Sequence, residues 1–208
     1  PAGAGKTTMT AQALLGEEWL GYRKIIMLEP RRLATRAAAY RIAELSDCQI
    51  GGLVGYRTRQ DSHISRDTRI EIVTEAILTR IMQADQSLKN YGLVIFDEFH
   101  ERHLHTDLAL AFCLDIQRYL RNDLRILIMS ATLAVEELKK IMPDASVIKT
   151  AIRLYPVAIN YLEKTPESAI PIFTANAIKR AIDLHSGDIL AFLPGGREIR
   201  KTRELLGE

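Results

Sequence analysis

Short apolar runs alternate with longer stretches of helical periodicity along most of the chain. Runs of about 4–8 apolar residues are typical of buried strands, and apolar residues spaced three or four apart are typical of helices. This pattern predicts strands at residues 24–29, 53–57, 70–74, 93–96 and 125–129. It predicts helices at residues 8–16, 33–45, 75–84, 106–120 and 135–141.

Strands that alternate with helices predict an α/β domain with a mostly parallel sheet covered on both faces. After a crossover at residues 152–157, the pattern predicts a helix, a strand and a helix at 169–185, 188–193 and 198–206. We therefore expect a first domain over residues 1–150 and the truncated beginning of a second over residues 151–208.

Composition narrows the class of protein only slightly. The chain has 208 residues, of which 47% are hydrophobic, enough for one full domain and part of another. No apolar run approaches the about 20 residues of a membrane span, and a net charge of +2 is too small to indicate nucleic-acid binding by itself. With only two cysteines, a disulfide framework is not expected, which favours a reducing, cytoplasmic location.

The amino terminus carries most of a phosphate-binding loop of the pattern G-x-x-x-x-G-K-[ST]. The first glycine of the pattern would fall one position before Pro1, so we expect the chain to begin inside this loop. Glycines allow a backbone turn that points N–H groups at phosphate oxygens, lysine adds a positive charge, and the following hydroxyl is a Mg²⁺ ligand. The predicted nucleotide-binding residues are Gly3, Ala4, Gly5, Lys6, Thr7 and Thr8.

A plain glycine-rich turn before a helix would explain the same residues, but a second motif favours the loop. Asp97 and Glu98 follow the apolar run 93–96, at the carboxyl end of a strand, where open α/β sheets bind ligands. Asp97 is placed to hold Mg²⁺ and Glu98 to act as general base on the attacking water. Two solvated carboxylates at a strand end are the alternative.

The histidines of residues 100–105 raise the question of a metal site. A zincin has two histidines four residues apart on one helical face, whereas here the spacing is three and then two. We therefore interpret His103 and His105 as surface or packing residues at the start of a helix.

Two other segments hold candidate binding residues. Pro30 ends a strand, and Arg31 and Arg32 follow at the same sheet edge, where guanidinium groups suit phosphate contacts; ordinary surface charge at a helix start is the alternative. Ser130 and Thr132 follow the strand 125–129 and are predicted either to couple to residues 97–100 or to cap the next helix.

Together these motifs resemble those of superfamily 2 DEAH/DExH helicases, and most of all those of the bacterial HrpB-type helicases. The resemblance covers essentially the whole chain and rests on six motifs in order: Gly-Ala-Gly-Lys-Thr-Thr, Glu29–Thr35, Thr74–Leu78, Asp97-Glu-Phe-His100, Ser130-Ala-Thr132 and Phe192–Ile199. Phe99 stands where the DEAH box has alanine, and the chain ends before the family's arginine-finger motif.

The resemblance implies a P-loop domain of the RecA type, followed by the start of a second one. It implies ATP and Mg²⁺ as cofactors, Lys6, Asp97, Glu98 and His100 as catalytic residues, and Arg41 as an adenine contact. It also implies backbone contacts to single-stranded RNA or DNA from Pro30, Arg31, Arg32, Thr74, Glu75 and Gly195.

Two functions remain open from the sequence. One is an ATP-driven helicase or translocase that hydrolyses ATP between two RecA-like domains, in which case this chain alone is expected to be inactive. The other is a P-loop ATPase switch that regulates partner binding without translocation. The segments 30–32, 74–75 and 194–196 favour the helicase, because a switch does not need them.

Overall fold

The computed structural model describes residues 5–131, 135–149, 156–162 and 169–207. Its chain divides into two compact units, Pro1–Arg153 and Leu154–Glu208. No helix within the described ranges is long and apolar enough to cross a bilayer. The expected site residues Gly3, Ala4 and Thr132 lie outside the described residues.

The first unit is built on a six-stranded sheet, which confirms the α/β class expected from the sequence. The strands are β1 (Lys24–Leu28), β2 (Val54–Arg57), β3 (Ser62–His63), β4 (Ile70–Val73), β5 (Tyr91–Phe96) and β6 (Arg125–Ile128), in the spatial order β3-β2-β4-β1-β5-β6. All pairs are parallel except β2 with β3.

Five helices belong to this unit: α1 (Lys6–Leu15), α2 (Arg32–Leu45), α3 (Glu75–Ala84), α4 (Leu104–Asp115) and α5 (Val135–Ile141). A π-helical turn, Ile116–Leu120, continues α4, and a short 3₁₀ turn, Phe99–Glu101, follows β5. The predicted helix at 106–120 thus begins two residues earlier and changes its winding near the end.

Side chains of the central strands alternate between two hydrophobic cores, which is why the sheet is covered on both faces. Ile26 and Leu28 of β1 pack in the core formed with α3 and α4, whereas Ile25 and Met27 pack in the core formed with α1 and α2. The five residues of β1 are therefore almost continuously apolar, and β1 lies between β4 and β5 at the centre of the sheet.

The two-residue strand β3 was not predicted, because it is too short to show alternation and its side chains are exposed. Its position is set by a close backbone approach. A Cβ atom at Gly55 in β2 would lie 2.3 Å from the carbonyl oxygen of His63, so only glycine allows this pairing.

The second unit contains α6 (Ile170–Leu184) and α7 (Gly196–Leu206), close to the predicted helices. The strand predicted at residues 188–193 was wrong, since these residues form no strand with any part of the chain that the structure describes. Residues Leu190 and Phe192 are largely exposed. A strand exists only through hydrogen bonds to a neighbouring strand, which local propensity does not supply.

Candidate nucleotide site

The carboxyl ends of four neighbouring strands meet along one edge of the sheet. Leu28 at the end of β1 is in register with Val73 of β4 and with Phe96 of β5, and Phe96 is in register with Ile128 of β6. The residue following each strand therefore starts from the same edge. Those residues are Glu29, Thr74, Asp97 and Met129.

Helix α1 begins at this edge with the turn expected of a phosphate-binding loop. Gly5 precedes the helix in the left-handed region, at φ +67° and ψ 15°, a conformation that glycine adopts without strain. Among the described residues no side chain caps the helix, and no acidic residue lies in its first turn. The positive end of the helix dipole at this turn favours an anionic ligand.

Thr7 of α1 contacts the acidic motif directly. Its hydroxyl donates a hydrogen bond to Oδ2 of Asp97 over 2.5 Å, although the two residues are 90 positions apart in the chain. The Asp97 carboxylate is 1% exposed, and its Oδ1 accepts a hydrogen bond of 2.8 Å from the backbone N–H of Glu98. The structure thus brings together the two residues expected to hold Mg²⁺.

The hydroxyl and carboxylate oxygens of this pair fit the chemistry of Mg²⁺. This ion prefers oxygen ligands and is commonly held by one or two protein side chains, with water and substrate phosphates as its other ligands. Within the described parts of the chain, no group of three or more histidine, cysteine or acidic residues is arranged to hold a metal by itself.

Glu98 lies in a strained turn beside Asp97. Its backbone is left-handed, at φ 48° and ψ 36°, which is uncommon for a residue with a side chain and costs about 1–3 kcal/mol. The half-buried carboxylate lies 3.2 Å from Nδ1 of His100. Asp97 and Glu98 therefore differ in environment, since one is buried and hydrogen-bonded and the other is partly open to solvent.

The turn after Asp97 is attached to the end of β6. The backbone N–H of Phe99 donates to the carbonyl oxygen of Met129 over 3.1 Å, one residue before Ser130. The Phe99 ring is buried, with its centroid 6.3 Å from that of Phe96 in an edge-on arrangement. Ser130 is thus one peptide away from a direct link to the acidic motif.

Residues 30–32, which we call the basic loop, follow β1 at the same edge of the sheet. Arg31 precedes α2, and Arg32 is its first residue; both are exposed. Thr35 fixes this helix start, since its hydroxyl donates to the carbonyl oxygens of Arg31 and Glu29 over 2.9 and 3.2 Å. Arg31 also donates to Oε1 of Glu101 over 2.6 Å, so the loop contacts the turn that follows Glu98.

The remaining candidates lie on, or directly before, three different helices. Thr74 precedes α3 and is buried, and the Glu75 carboxylate accepts a hydrogen bond of 2.6 Å from the hydroxyl of Thr106. Arg41 lies on α2, where its guanidinium donates to Glu44 over 2.6 Å. Gly195 precedes α7 in the second unit, with an extended backbone that other residues also adopt.

Glu29 is a member of the site that the sequence analysis did not select as a site residue. It is 4% exposed, and its pKa is raised to about 8, first by burial and then by the charges of Asp97, Glu98 and Glu101, against a smaller lowering by Arg31. A signal was present in the sequence, because Glu29 follows the apolar run of β1 as Asp97 follows that of β5.

The pH dependence of folding should reveal this buried carboxyl. Because its pKa is raised in the folded state, Glu29 stabilises the fold fully below about pH 4.5, and this contribution is lost as pH rises through about 8. We expect the loss to be on the order of 3 kcal/mol in the free energy of unfolding. Urea unfolding at pH 5 and at pH 8.5 measures this loss. Between these two pH values, the free energy of unfolding of Glu29→Gln should decrease by that much less than the free energy of unfolding of the wild type.

The exposed residue Glu18 provides a matched control, since Glu18→Gln should leave the difference between the two pH values unchanged. An equal difference in the wild type and in Glu29→Gln would contradict the raised pKa.

The chain belongs to the DEAD/DEAH box helicase family, whose profile matches residues 1–141. It is 45% identical over 210 residues to the ATP-dependent RNA helicase HrpB of Escherichia coli, an alignment that covers 99% of this chain and 25% of HrpB. It is 38% identical to the ATP-dependent RNA helicase HrpA homolog of Haemophilus influenzae, over 98% of this chain and 16% of that protein.

Two solved structures of E. coli HrpB have the same fold. The crystal structure described as a DEAH/RHA helicase superposes with a TM-score of 0.89, and the one described as a DExH-box NTPase with 0.79. Each alignment covers 100% of this chain and 26% of the solved one, at 45% identity. The family and the RecA-like fold expected from the sequence are thereby confirmed, and the chain spans about a quarter of the length of HrpB.

Proposed function

We propose that this chain is the ATP-binding domain of an ATP-dependent nucleic-acid helicase or translocase. The observation that carries the proposal is the hydrogen bond of 2.5 Å between Thr7, at the start of α1, and the buried carboxylate of Asp97. This contact supports a single site that combines the start of α1, the candidate Mg²⁺ ligands and Glu98. Phosphoryl transfer depends on this combination of positioning and charge stabilisation.

Each residue has a distinct proposed role in ATP hydrolysis. The loop residues Gly3, Ala4, Gly5 and Thr8 bind the phosphates, and Lys6 neutralises their charge. Thr7 and Asp97 hold Mg²⁺, which when bound neutralises the phosphate charge that develops during hydrolysis. Glu98 accepts a proton from the attacking water, and His100, 3.2 Å from it, orients its carboxylate. Arg41 is proposed to contact the adenine ring.

Nucleic acid is proposed to bind along the edge that carries Arg31 and Arg32. The proposed contacts are to phosphates and sugars and are therefore largely independent of sequence. The printed names of the relatives, ATP-dependent RNA helicases, support RNA as a substrate, and single-stranded DNA remains the second candidate. We propose further nucleic-acid contacts from Pro30, Thr74, Glu75 and Gly195.

The remaining proposals concern domains and location. Residues 151–208 are proposed to begin a second RecA-like domain, with ATP hydrolysed between the two domains. Ser130 and Thr132 are proposed to transmit the state of the nucleotide, supported by the link between Phe99 and Met129. The sequence argument from two cysteines supports a cytoplasmic protein.

The proposal is tested by ATP turnover of the complete protein with and without nucleic acid. We expect single-stranded RNA homopolymers to stimulate hydrolysis, and a parallel titration with single-stranded DNA to identify the preferred substrate. ATP hydrolysis that neither polymer changes would favour the alternative of a switch that binds a protein partner.

The basic loop gives a more specific prediction. Replacing both Arg31 and Arg32 with alanine should weaken binding to all single-stranded sequences by a similar factor, because phosphate contacts do not discriminate between bases. The slope of log affinity against log salt should decrease by about one for each lost contact. Fluorescence anisotropy at several salt concentrations measures both effects.

Replacing both Lys89 and Lys149, two exposed residues far along the chain from this loop, with alanine is the charge-matched control, because it also removes two positive charges. A loss of affinity confined to one base composition would contradict phosphate binding.

A further inference from the structure

Four side chains connect the basic loop to the start of α3 through the turn after Glu98. Arg31 donates to Oε1 of Glu101 over 2.6 Å, and Oε2 of Glu101 lies 3.2 Å from Nε2 of His103. The other ring nitrogen of His103, Nδ1, lies 3.5 Å from Oε1 of Glu75. We refer to Arg31, Glu101, His103 and Glu75 as the Glu101 network.

Glu101 is the central member of this network, and its charge is poorly solvated. Its side chain is 20% exposed, and its Oε2 atom is fully buried without a well-aligned hydrogen bond from any residue that the structure describes. Three further carboxyl groups lie in the same region, those of Glu29, Asp97 and Glu98. The charges of Asp97, Glu98 and Glu101 all act on the carboxyl group of Glu29. The guanidinium of Arg31, at 2.6 Å from Oε1, therefore compensates much of the charge of Glu101.

Arg31 is also open to a ligand. Its side chain is 70% exposed, and a guanidinium binds phosphate oxygens with the same N–H donors that bind a carboxylate. A nucleic-acid phosphate at Arg31 consequently competes with Glu101 for these donors. Once Arg31 engages the phosphate, the carboxylate of Glu101 loses charge compensation in a region already rich in carboxyl groups.

A change at Glu101 reaches Glu98 through one short turn. The backbone N–H of Glu101 donates to the carbonyl oxygen of Glu98 over 3.0 Å, and the turn Phe99–Glu101 begins from the left-handed conformation of Glu98. Arg102, which ends this turn, is also left-handed, at φ 51°. Both ends of this turn therefore hold backbone strain, which a rearrangement of the turn would release.

We propose that Glu101 is a positioning residue that links phosphate binding at Arg31 to the orientation of the Glu98 carboxylate. The inference rests on the proposed function and adds a route by which nucleic acid stimulates ATP hydrolysis at this site. His103 and Glu75 extend the same network to the amino end of α3, the second segment expected to contact nucleic acid. Glu101 thereby receives the signal from both segments.

The test is a titration of the complete protein with single-stranded polyadenylate, with ATP turnover as the readout. Two quantities separate a positioning role from a binding role: the ratio of turnover at saturating RNA to turnover without RNA, and the RNA concentration at half-maximal stimulation. We expect Glu101→Gln to lower the ratio by about fivefold or more. The RNA concentration at half-maximal stimulation should change by less than about twofold. Arg32→Ala, which removes a phosphate contact outside the network, should instead raise that concentration.

Two further variants make the result specific. Asp107→Asn removes an exposed ion pair with Arg102 in the same segment without touching Arg31, and should behave as the wild type. His103→Gln changes the network at its more exposed member and should also lower the ratio of turnover with RNA to turnover without RNA. This variant tests the inference even if Glu101→Gln does not fold. In a double-mutant cycle, adding Glu101→Gln to Arg31→Ala should lower the ratio no further.

The outcomes distinguish this inference from the proposed function. An unchanged ratio in both Glu101→Gln and His103→Gln, in a wild type that RNA stimulates, overturns the inference alone. So does a variant in which only the RNA concentration at half-maximal stimulation increases, because Glu101 would then only shape the binding loop. A wild type that RNA does not stimulate overturns the proposed function and the inference together.

Discussion

Replacing Glu98 with glutamine is expected to lower ATP turnover of the complete protein by about 10²–10⁴-fold, the usual contribution of general base catalysis. Glutamine has the same size as glutamate but cannot accept a proton from water. Asp97, Thr7 and the start of α1 keep their contacts in this variant, so nucleotide binding should remain close to that of the wild type. Steady-state hydrolysis and titration with a fluorescent ATP analogue measure the two quantities.

The control for this prediction is Glu18→Gln, which removes one carboxylate from an exposed turn after α1. Turnover should be unaffected there. A Glu98→Gln variant that hydrolyses ATP at nearly the wild-type rate would show that another group activates the water.

Replacing Glu71 with alanine is expected to lower the free energy of unfolding by about 3 kcal/mol, at the lower end of the cost of breaking a buried ion pair, because the guanidinium of Arg57 that remains is 28% exposed. Glu71 is 1% exposed in β4, in the middle of the sheet. Its carboxylate pairs with the guanidinium of Arg57 in β2 and accepts a hydrogen bond of 2.9 Å from the hydroxyl of Tyr91 in β5. Without Glu71, Arg57 and Tyr91 lose the carboxylate that both of them contact. Urea unfolding at pH 7 measures the change.

An exposed ion pair provides the comparison for Glu71. Arg41 and Glu44 pair on the surface of α2, and Glu44→Ala should cost less than about 1 kcal/mol, because water solvates both charges. Tyr91→Phe should cost about 1–3 kcal/mol, since it removes only one hydrogen-bond donor from the buried carboxylate. A loss below about 1 kcal/mol in Glu71→Ala would mean that Arg57 finds another buried partner.

The burial of Glu71 does not follow from the pattern of apolar and polar residues in its strand. Glu71 is a charged residue among the apolar residues of its strand, yet the strand is buried along its whole length. Burial becomes possible because β2 and β5 bring Arg57 and Tyr91 to the same carboxylate. Neither contact follows from local periodicity, since both depend on the order of strands in the sheet.

Local sequence determined the elements of the first unit and the position of its site. Short apolar runs and helical spacing are properties of consecutive residues, so β1, β4 and β5 were predicted to within about two residues of their observed ends, the usual spread of such boundaries. The phosphate-binding loop and the Asp97-Glu98 pair were also read locally. Ligands bind at the carboxyl edge of an open α/β sheet, so the sequence predicts that the loop and the acidic pair lie close together. The hydrogen bond between Thr7 and Asp97 agrees with this prediction.

Tertiary structure alone decided the features that depend on distant neighbours. The pKa of Glu29 reflects burial beside Asp97, Glu98 and Glu101, and the Glu101 network joins Arg31 to His103 across two turns. The strand expected at residues 188–193 failed for the same reason, because a strand requires a hydrogen-bonded partner that residues close in sequence do not provide. Electrostatic environment and strand pairing are set by the fold as a whole, whereas the type of each element is set largely by its own residues.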